Sequence, residues 1–431
     1  MAPTDPTITV HTASLVLPVL DPPIPAGAVA MVGGRILDRG PAGELLARYP
    51  SARRRDWPGW LIPGLVNAHA HLQYSAFADL AALGADFPTW IATLTARRRG
   101  MTGRDWTASA RVGIAACLRA GVTAVADVVT DPVVLGPTAR SGLAGLSYLE
   151  VVAVDEDGWA AAETTLVRAL ESAPRGRVLG ISPHSLYTLG HAALVGAAQV
   201  ARSRGLRLHL HLAETDAESR YVATGDGPLA AAAARYGWRM ALLAAGGSGL
   251  TPAGLADELG LLGPDVHVAH GVHAGAADRA RLRRRGTAVA VCARSNRVLA
   301  TGDPPVAAFL DESVPLALGT DSLASSPDLD LLAEARAVRG LARAQGYDAA
   351  DLSRLLVEAA TIGGARALGL SDCGHLRPGA RADLAVVDVP THGRDPAGSD
   401  PYSLLLDHGP YRVLATVLGG RLVYRHGRLG R

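Results

Sequence analysis

Lysine is absent from the 431 residues: all 42 basic side chains, set against 40 acidic ones, are arginine. Without an ε-amino group the chain has no Schiff-base nucleophile, no P-loop phosphate lysine and no carbamylated lysine to bridge two metal ions. Cysteine is nearly as scarce. Cys117, Cys292 and Cys373 are odd in number, far apart and without a CxxC pair, which argues against a disulfide framework or a thiolate zinc site and fits a reducing compartment. No apolar run approaches the ~20 residues that span a bilayer, and MAPTDPTITV lacks a basic segment followed by an apolar one. The chain therefore reads as cytoplasmic, with no membrane partner. A strong charge of one sign is missing too: the net +2 argues against a nucleic-acid binder and leaves a small molecule as the expected partner.

What is present is ample apolar material, 48% of residues against 19% charged, enough for a large core. Short β-rich runs broken by Pro and Gly occupy both ends (ITVHTASLVLP and AVAMVGGRILDRG, then ADLAVVDV and RVLATVLGGRLVYRHGRLG), so the two ends are expected to pair into one small sheet domain. Between them, β-branched runs alternate with Ala/Leu/Arg-rich helical stretches. Eight such runs stand out: LIPGLVNAHAH, GVTAVADVV, GLAGLSYLEVVAV, RVLGISPHS, LRLHLHLAE, DVHVAHGV, TAVAVCARSN and PLALGTDS. Eight βα units predict an α/β fold, a closed (β/α)8 TIM barrel, whose active site lies at the carboxyl ends of the strands. The arginine clusters at 52–55 and 96–99 and in RLRRRG read as solvated helix faces or boundaries without a functional role.

Most of the eight runs end in a polar or metal-binding residue. His69 and His71 lie two apart on a predicted strand and so share a face, which in a barrel is the lumen. His209 and His211 do the same in the fifth run; His211, nearer the carboxyl end, is the better ligand, and His209 is left deeper as a packed or hydrogen-bonding residue. Asp321, after the eighth strand, would complete three imidazoles and a carboxylate, a set that leaves room for water as catalytic zinc sites do. Zn²⁺ is the expected ion, with Fe²⁺ and Mn²⁺ also suited to such N/O ligands. Glu214 is placed to move protons beside the ion, or is an ordinary first-turn glutamate. Ser322 is a substrate contact or a helix N-cap. Among His267, His270 and His273, His270 is nearest the mouth and is assigned to polarise the attacking water or the developing oxyanion.

The ordered set HxH, HxxE, AHxxH and GTDS resembles the amidohydrolase superfamily, in its mononuclear aminohydrolase branch, over nearly the whole chain. The absence of lysine agrees with that branch. The resemblance implies a barrel over 62–375, a composite β-sandwich domain from 1–61 and 376–431, and a homodimer. It implies one divalent ion on His69, His71, His211 and Asp321, with Glu214, His270 and Asp321 catalytic. The reaction implied is hydrolytic deamination of a cyclic amidine: hydroxide adds to the amine-bearing carbon, Glu214 protonates a ring nitrogen, and ammonia leaves.

Within the branch, NAHAHLQYSAF and the later DFPTWI are most similar to the aminofutalosine deaminases of menaquinone biosynthesis, which convert 6-amino-6-deoxyfutalosine to futalosine. Alternatives are deamination of adenosine, S-adenosylhomocysteine or 5′-methylthioadenosine, or of a guanine, pterin or triazine. A benzoate on the substrate calls for an arginine, which points to Arg294 in CARSN or to Arg297 just beyond. Gln73, Trp90 and His184 are the remaining substrate-contact candidates, for a heteroaromatic ring needing an edge donor and a stacking face. His184 is equally readable as a structural strand-end histidine.

Overall fold

The computed structural model describes residues 7–84, 87–237, 239–389, 400–407 and 412–427. Each of the eight runs contains one strand of a parallel sheet: β1 Leu65–Ala70, β2 Val122–Val129, β3 Ala144–Val151, β4 Val178–Pro183, β5 Arg207–Leu212, β6 Val266–His270, β7 Ala288–Val291 and β8 Leu316–Leu318. The strands are hydrogen-bonded in sequence order from β1 to β8. β2 is buried at all eight positions, as expected of a strand covered on both faces. The chain has the (β/α)8 architecture.

Outer helices are cut from the sequence by ordinary signals. Gly103–Arg119 buries Trp106, Ala110, Ile114 and Cys117, one helical stripe. A capping box starts it: Asp105 N donates to Thr102 Oγ1 at 3.3 Å, and Thr102 N to Asp105 Oδ2 at 3.0 Å. No helix among the described residues is long and apolar enough to cross a membrane.

Closure of the barrel depends on two polar side chains. Past β8, the amides of Thr320 and Asp321 donate to His69 O at 3.1 and 3.0 Å. Asn67 of β1 donates from Nδ2 to Thr320 Oγ1 at 2.7 Å and accepts from Thr320 N at 3.1 Å. That stitch sets the first histidine-bearing strand directly beside Asp321.

The two ends of the chain meet in the smaller sheets. Leu384–Asp388 pairs antiparallel with Trp60–Pro63, within a six-stranded sheet that also holds Leu15–Val16, Ile24–Pro25, Arg412–Leu418 and Arg421–Arg425. A four-stranded sheet of Thr9–Thr12, Gly27–Val32, Arg35–Pro41 and Arg53–Asp56 packs on it, with Val29, Met31, Ile36, Leu61, Leu384, Val386 and Val417 buried in a common core. Two readings need correction. The run LIPGLVNAHAH is two strands: Trp60–Pro63 belongs to the terminal sheet, β1 to the barrel, and Gly64 joins them where a Cβ would stand 2.1 Å from Thr123 Oγ1. The arginines at 53–55 form an edge strand parallel to Thr9–Thr12, not a helix face; charged residues on an exposed edge discourage strand addition.

Candidate active site

The carboxyl ends of β1, β5, β6 and β8 bring histidines and an aspartate together. His71 stands just past β1, with its Nε2 3.3 Å from Nε2 of His211. Asp321 Oδ1 lies 3.6 Å from His69 Nε2 and 3.7 Å from His71 Nε2. His270 joins the group, a ring nitrogen of it lying within 4.8 Å of donor atoms of His69 and Asp321. Two of these residues hold uncommon backbone for residues with side chains, His270 at φ +74° and Asp321 at φ +59°. These conformations carry the chain away from the ends of β6 and β8.

Whether this cluster fits a metal ion can be judged from its spacings and from its open atoms. Ligands held ~2.0–2.1 Å from a tetrahedral ion are about 3.3–3.4 Å apart, close to the separations found. His211 Nδ1 faces the carbonyl of His184 at 3.0 Å and must donate to it, so its Nε2 keeps a lone pair. His69 Nδ1 is 3.0 Å from His209 Nε2, while its own Nε2 is buried without a partner. Burial drives the His69 imidazole down to about 4 and His211 well below its ordinary range, so both are neutral at pH 7. Burial also pushes the Asp321 carboxyl up, yet the close approach of His69, with His71 and His270 beyond it, brings it well below its usual range. Ser295 and Ser325 donate to its Oδ2 at 2.7 and 2.9 Å. Neutral imidazoles with inward lone pairs and a fixed carboxylate fit a divalent cation.

Glu214 lies just before the helix Asp216–Thr224 and is not in its first turn. Its Oε1 is 3.6 Å from His270 Nε2. Burial raises its carboxyl, and of its two neighbours His270 lowers it and Asp321 raises it. With Nδ1 of His270 2.9 Å from Asn296 Oδ1, an Nδ1–H tautomer leaves Nε2 as an acceptor facing Glu214.

The substrate-contact candidates divide. Gln73 is fully buried; its Oε1 accepts from Asp131 N at 3.1 Å and its Nε2 has no partner. His184 packs its ring 4.6 Å from that of His211, with Nδ1 turned to Thr188 Oγ1 and Nε2 3.9 Å from Glu150 Oε1. Trp90 is buried, and its N–H donates to Ala324 O at 2.9 Å, so only the ring is left to offer. Of its segment DFPTWI, Asp86 lies outside the described residues. Ser322 caps no helix: Asp330 caps the helix Leu331–Ala344, and the Ser322 hydroxyl sits 3.3 Å from Ser325 Oγ. Arg294 is not free for a ligand carboxylate, because Nη1 and Nη2 grip Asp328 at 2.7 and 2.8 Å. Arg297 is exposed.

Several supporting groups escaped the sequence reading. Glu150, next to last in β3, accepts from Thr130 Oγ1 at 2.6 Å; its position near a strand's carboxyl end was the available signal. Burial pushes its carboxyl up, but His184, His71 and the Thr130 hydroxyl bring it below its ordinary range. Glu218 receives Ala213 N at 3.1 Å and Glu214 N at 2.8 Å, which pins the turn carrying Glu214.

A profile of the amidohydrolase family matches residues 60–423. The chain belongs to the amidohydrolase family. It is thus a hydrolase of carbon–nitrogen bonds, of a family that depends on metal. Residues 27–52 also match the bacterial imidazolonepropionase-like composite domain. The chain is 33% identical to a 5-methylthioadenosine/S-adenosylhomocysteine deaminase of Natronomonas pharaonis, over 88% of this chain and 86% of that one. It is 35% identical to an aminodeoxyfutalosine deaminase of Deinococcus radiodurans, over 80% and 81%. An adenosine deaminase of Xanthomonas campestris with bound zinc superposes with a TM-score of 0.78 at 27% identity, covering 97% of this chain and 93% of that chain.

Proposed function

We propose that this amidohydrolase deaminates a 6-aminopurine nucleoside by hydrolysis, releasing ammonia and leaving the 6-oxo compound. The preferred substrate is 6-amino-6-deoxyfutalosine, with S-adenosylhomocysteine, 5′-methylthioadenosine and adenosine as the alternatives. Relatives bearing both kinds of name match at similar identity, and the observation that carries the reading is the placing of two carboxylates around one histidine cluster, Glu214 3.6 Å from His270 and Asp321 3.6 and 3.7 Å from His69 and His71.

His69, His71, His211 and Asp321 would hold the ion, zinc first and iron(II) or manganese next. When bound, it supplies hydroxide at neutral pH by lowering the pKa of water towards ~7. Everything else falls to the chain. Glu214, its proton favoured by burial, donates to a purine ring nitrogen as the amine-bearing carbon becomes tetrahedral, and takes back the hydroxyl proton as the 6-oxo group forms. Asp321, fixed by two serine hydroxyls, takes a proton from the attacking water and passes it to the departing amine. His270 Nε2 orients the water through its lone pair. Gln73 offers its unpartnered amide N–H to the heterocycle, and the ring of Trp90 offers a stacking face.

A panel of 6-amino nucleosides, followed by ammonia release and loss of the 6-aminopurine absorbance in zinc-supplemented protein, tests this. Turnover of at least one member is expected, and none at all would overturn the reading.

A further inference from the structure

With Arg294 held by Asp328, another cation has to meet a substrate carboxylate at the mouth. Arg98 is the last residue of the helix Phe87–Arg98, half-buried, with its guanidinium carbon 5.5 Å from the centre of the Tyr74 ring. Tyr74 in turn lies parallel to His71, at 5.2 Å and 13°. The guanidinium is therefore no farther from the His71 ring than those two spacings combined.

Two other arginines of these segments are spent. Arg97, one residue back, pairs with Asp79 at 2.6 Å, and Arg294 holds Asp328. Among the described residues no carboxylate lies within 4.0 Å of the Arg98 guanidinium, and no hydrogen bond ties it down. Its field nevertheless reaches His71, His184 and Glu150. Glu150 does not consume it, having taken the Thr130 hydroxyl on one oxygen and His184 on the other. A guanidinium resting on an aromatic face keeps its N–H edge free and oriented, an arrangement suited to a planar anion.

We propose that Arg98 recognises a carboxylate carried on the 5′ side of the nucleoside, making this a deaminase of acidic rather than neutral substrates. The inference rests on the deaminase reading above and goes beyond it. Orientation follows from chemistry: the amino group must meet Glu214 and Asp321, which turns the 5′ arm outward towards Arg98. A singly charged acid suits one guanidinium, whereas a phosphate dianion would face Glu150, Glu214 and Asp321 with a single cation to balance it.

The test compares Arg98→Ala and Arg98→Lys with the wild type on two acids of different origin, S-adenosylhomocysteine (an amino-acid carboxylate) and 6-amino-6-deoxyfutalosine (a benzoate), and on neutral 5′-methylthioadenosine and adenosine. The alanine variant should raise KM for at least one acid about 10- to 100-fold with kcat within about twofold, leave the neutral nucleosides within about threefold, and show the lysine variant in between. Which acid responds identifies the source of the carboxylate. Equal losses on acids and neutrals, no change on either acid, or a wild type that prefers the neutral nucleosides would overturn the proposal while leaving the deaminase reading intact. Calorimetric binding separates the two from the other side. If the wild type turns over nothing yet binds S-adenosylhomocysteine at least 10-fold more tightly than Arg98→Ala does, the carboxylate site stands and the deaminase reading falls.

Discussion

The terminal sheets and the barrel mouth both bury polar side chains, but they treat them differently. In the terminal region, where Arg39 Nη1 is the one buried side-chain polar atom left open among the described residues, Trp57 donates to His11 Nδ1 at 2.9 Å, and Asp383 accepts from Gly419 N at 2.6 Å and Arg381 Nε at 3.0 Å. At the mouth, His69 Nε2, His71 Nδ1, Gln73 Nε2 and His270 Nε2 are all buried without partners. Buried polar atoms are ordinarily satisfied, because leaving one unpaired costs about 1–3 kcal/mol. A concentration of open ones at the strand ends marks a place completed by something other than protein. One region is built to hold the chain's ends together, the other to be finished by an ion and a substrate.

Substitutions should separate these two roles. Glu214→Gln removes the proton donor while keeping the shape, so kcat should fall by about 10²- to 10⁴-fold, with metal content by elemental analysis and thermal midpoint unchanged. Turnover within a few-fold of normal would remove Glu214 from the chemistry. The converse experiment is Leu61→Ala, at a fully buried position in the terminal core. It should cost about 2–5 kcal/mol in denaturant unfolding, with KM untouched; a changed KM at equal folded fraction would show that the terminal sheets shape the mouth.

His209 tests the border between the regions of support and chemistry. It lies one residue pair deeper on β5 than His211, and its Nε2 meets His69 Nδ1 at 3.0 Å. Partners that orient a ligand imidazole typically matter by 10- to 100-fold in metal affinity. His209→Ala should weaken zinc retention against a competing chelator by that factor, with a smaller drop in kcat once zinc is saturating. Unchanged affinity would make His209 merely part of the barrel filling with Tyr148 and His267.

The barrel and the ligand-type residues were legible because their signals are local. Each strand is a short apolar run, and HLH or GTD sits at a run's end, where βα topology puts chemistry. What stayed hidden depends on contacts between distant positions. Asn296 matters through His270, 26 residues away, and Ser295 through Asp321, equally far. Arg294 looked free because Asp328, 34 residues on, carries no mark of being its partner. Arg98 was submerged in a run of arginines that composition alone explains; only its seat on Tyr74 distinguishes it from Arg97.

The last effect, confined to stability and its pH dependence, concerns a buried acid behind the mouth. Glu334 accepts Arg294 N at 3.1 Å through Oε1, its Oε2 is unpartnered, and burial, only partly offset by Arg294, pushes its carboxyl up to about 8. The folded state therefore holds a proton that the unfolded chain releases near its ordinary value of 4.5. Its contribution is fully present below about pH 4.5 and is lost as pH rises to about 8, by at most about 1.4 kcal/mol per pH unit. Glu334→Gln, which keeps an amide in place of the protonated carboxyl, should flatten that part of the stability curve measured by denaturant unfolding between pH 5 and 8. The kcat should stay put, since the residue touches Arg294 and not the histidine cluster. An unchanged slope would mean that Glu334 is ionised in the folded protein and that Arg294, already holding Asp328, also answers its charge. The guanidinium would then be still further from serving a ligand, and Arg98 would stand out more sharply as the open cation of the mouth.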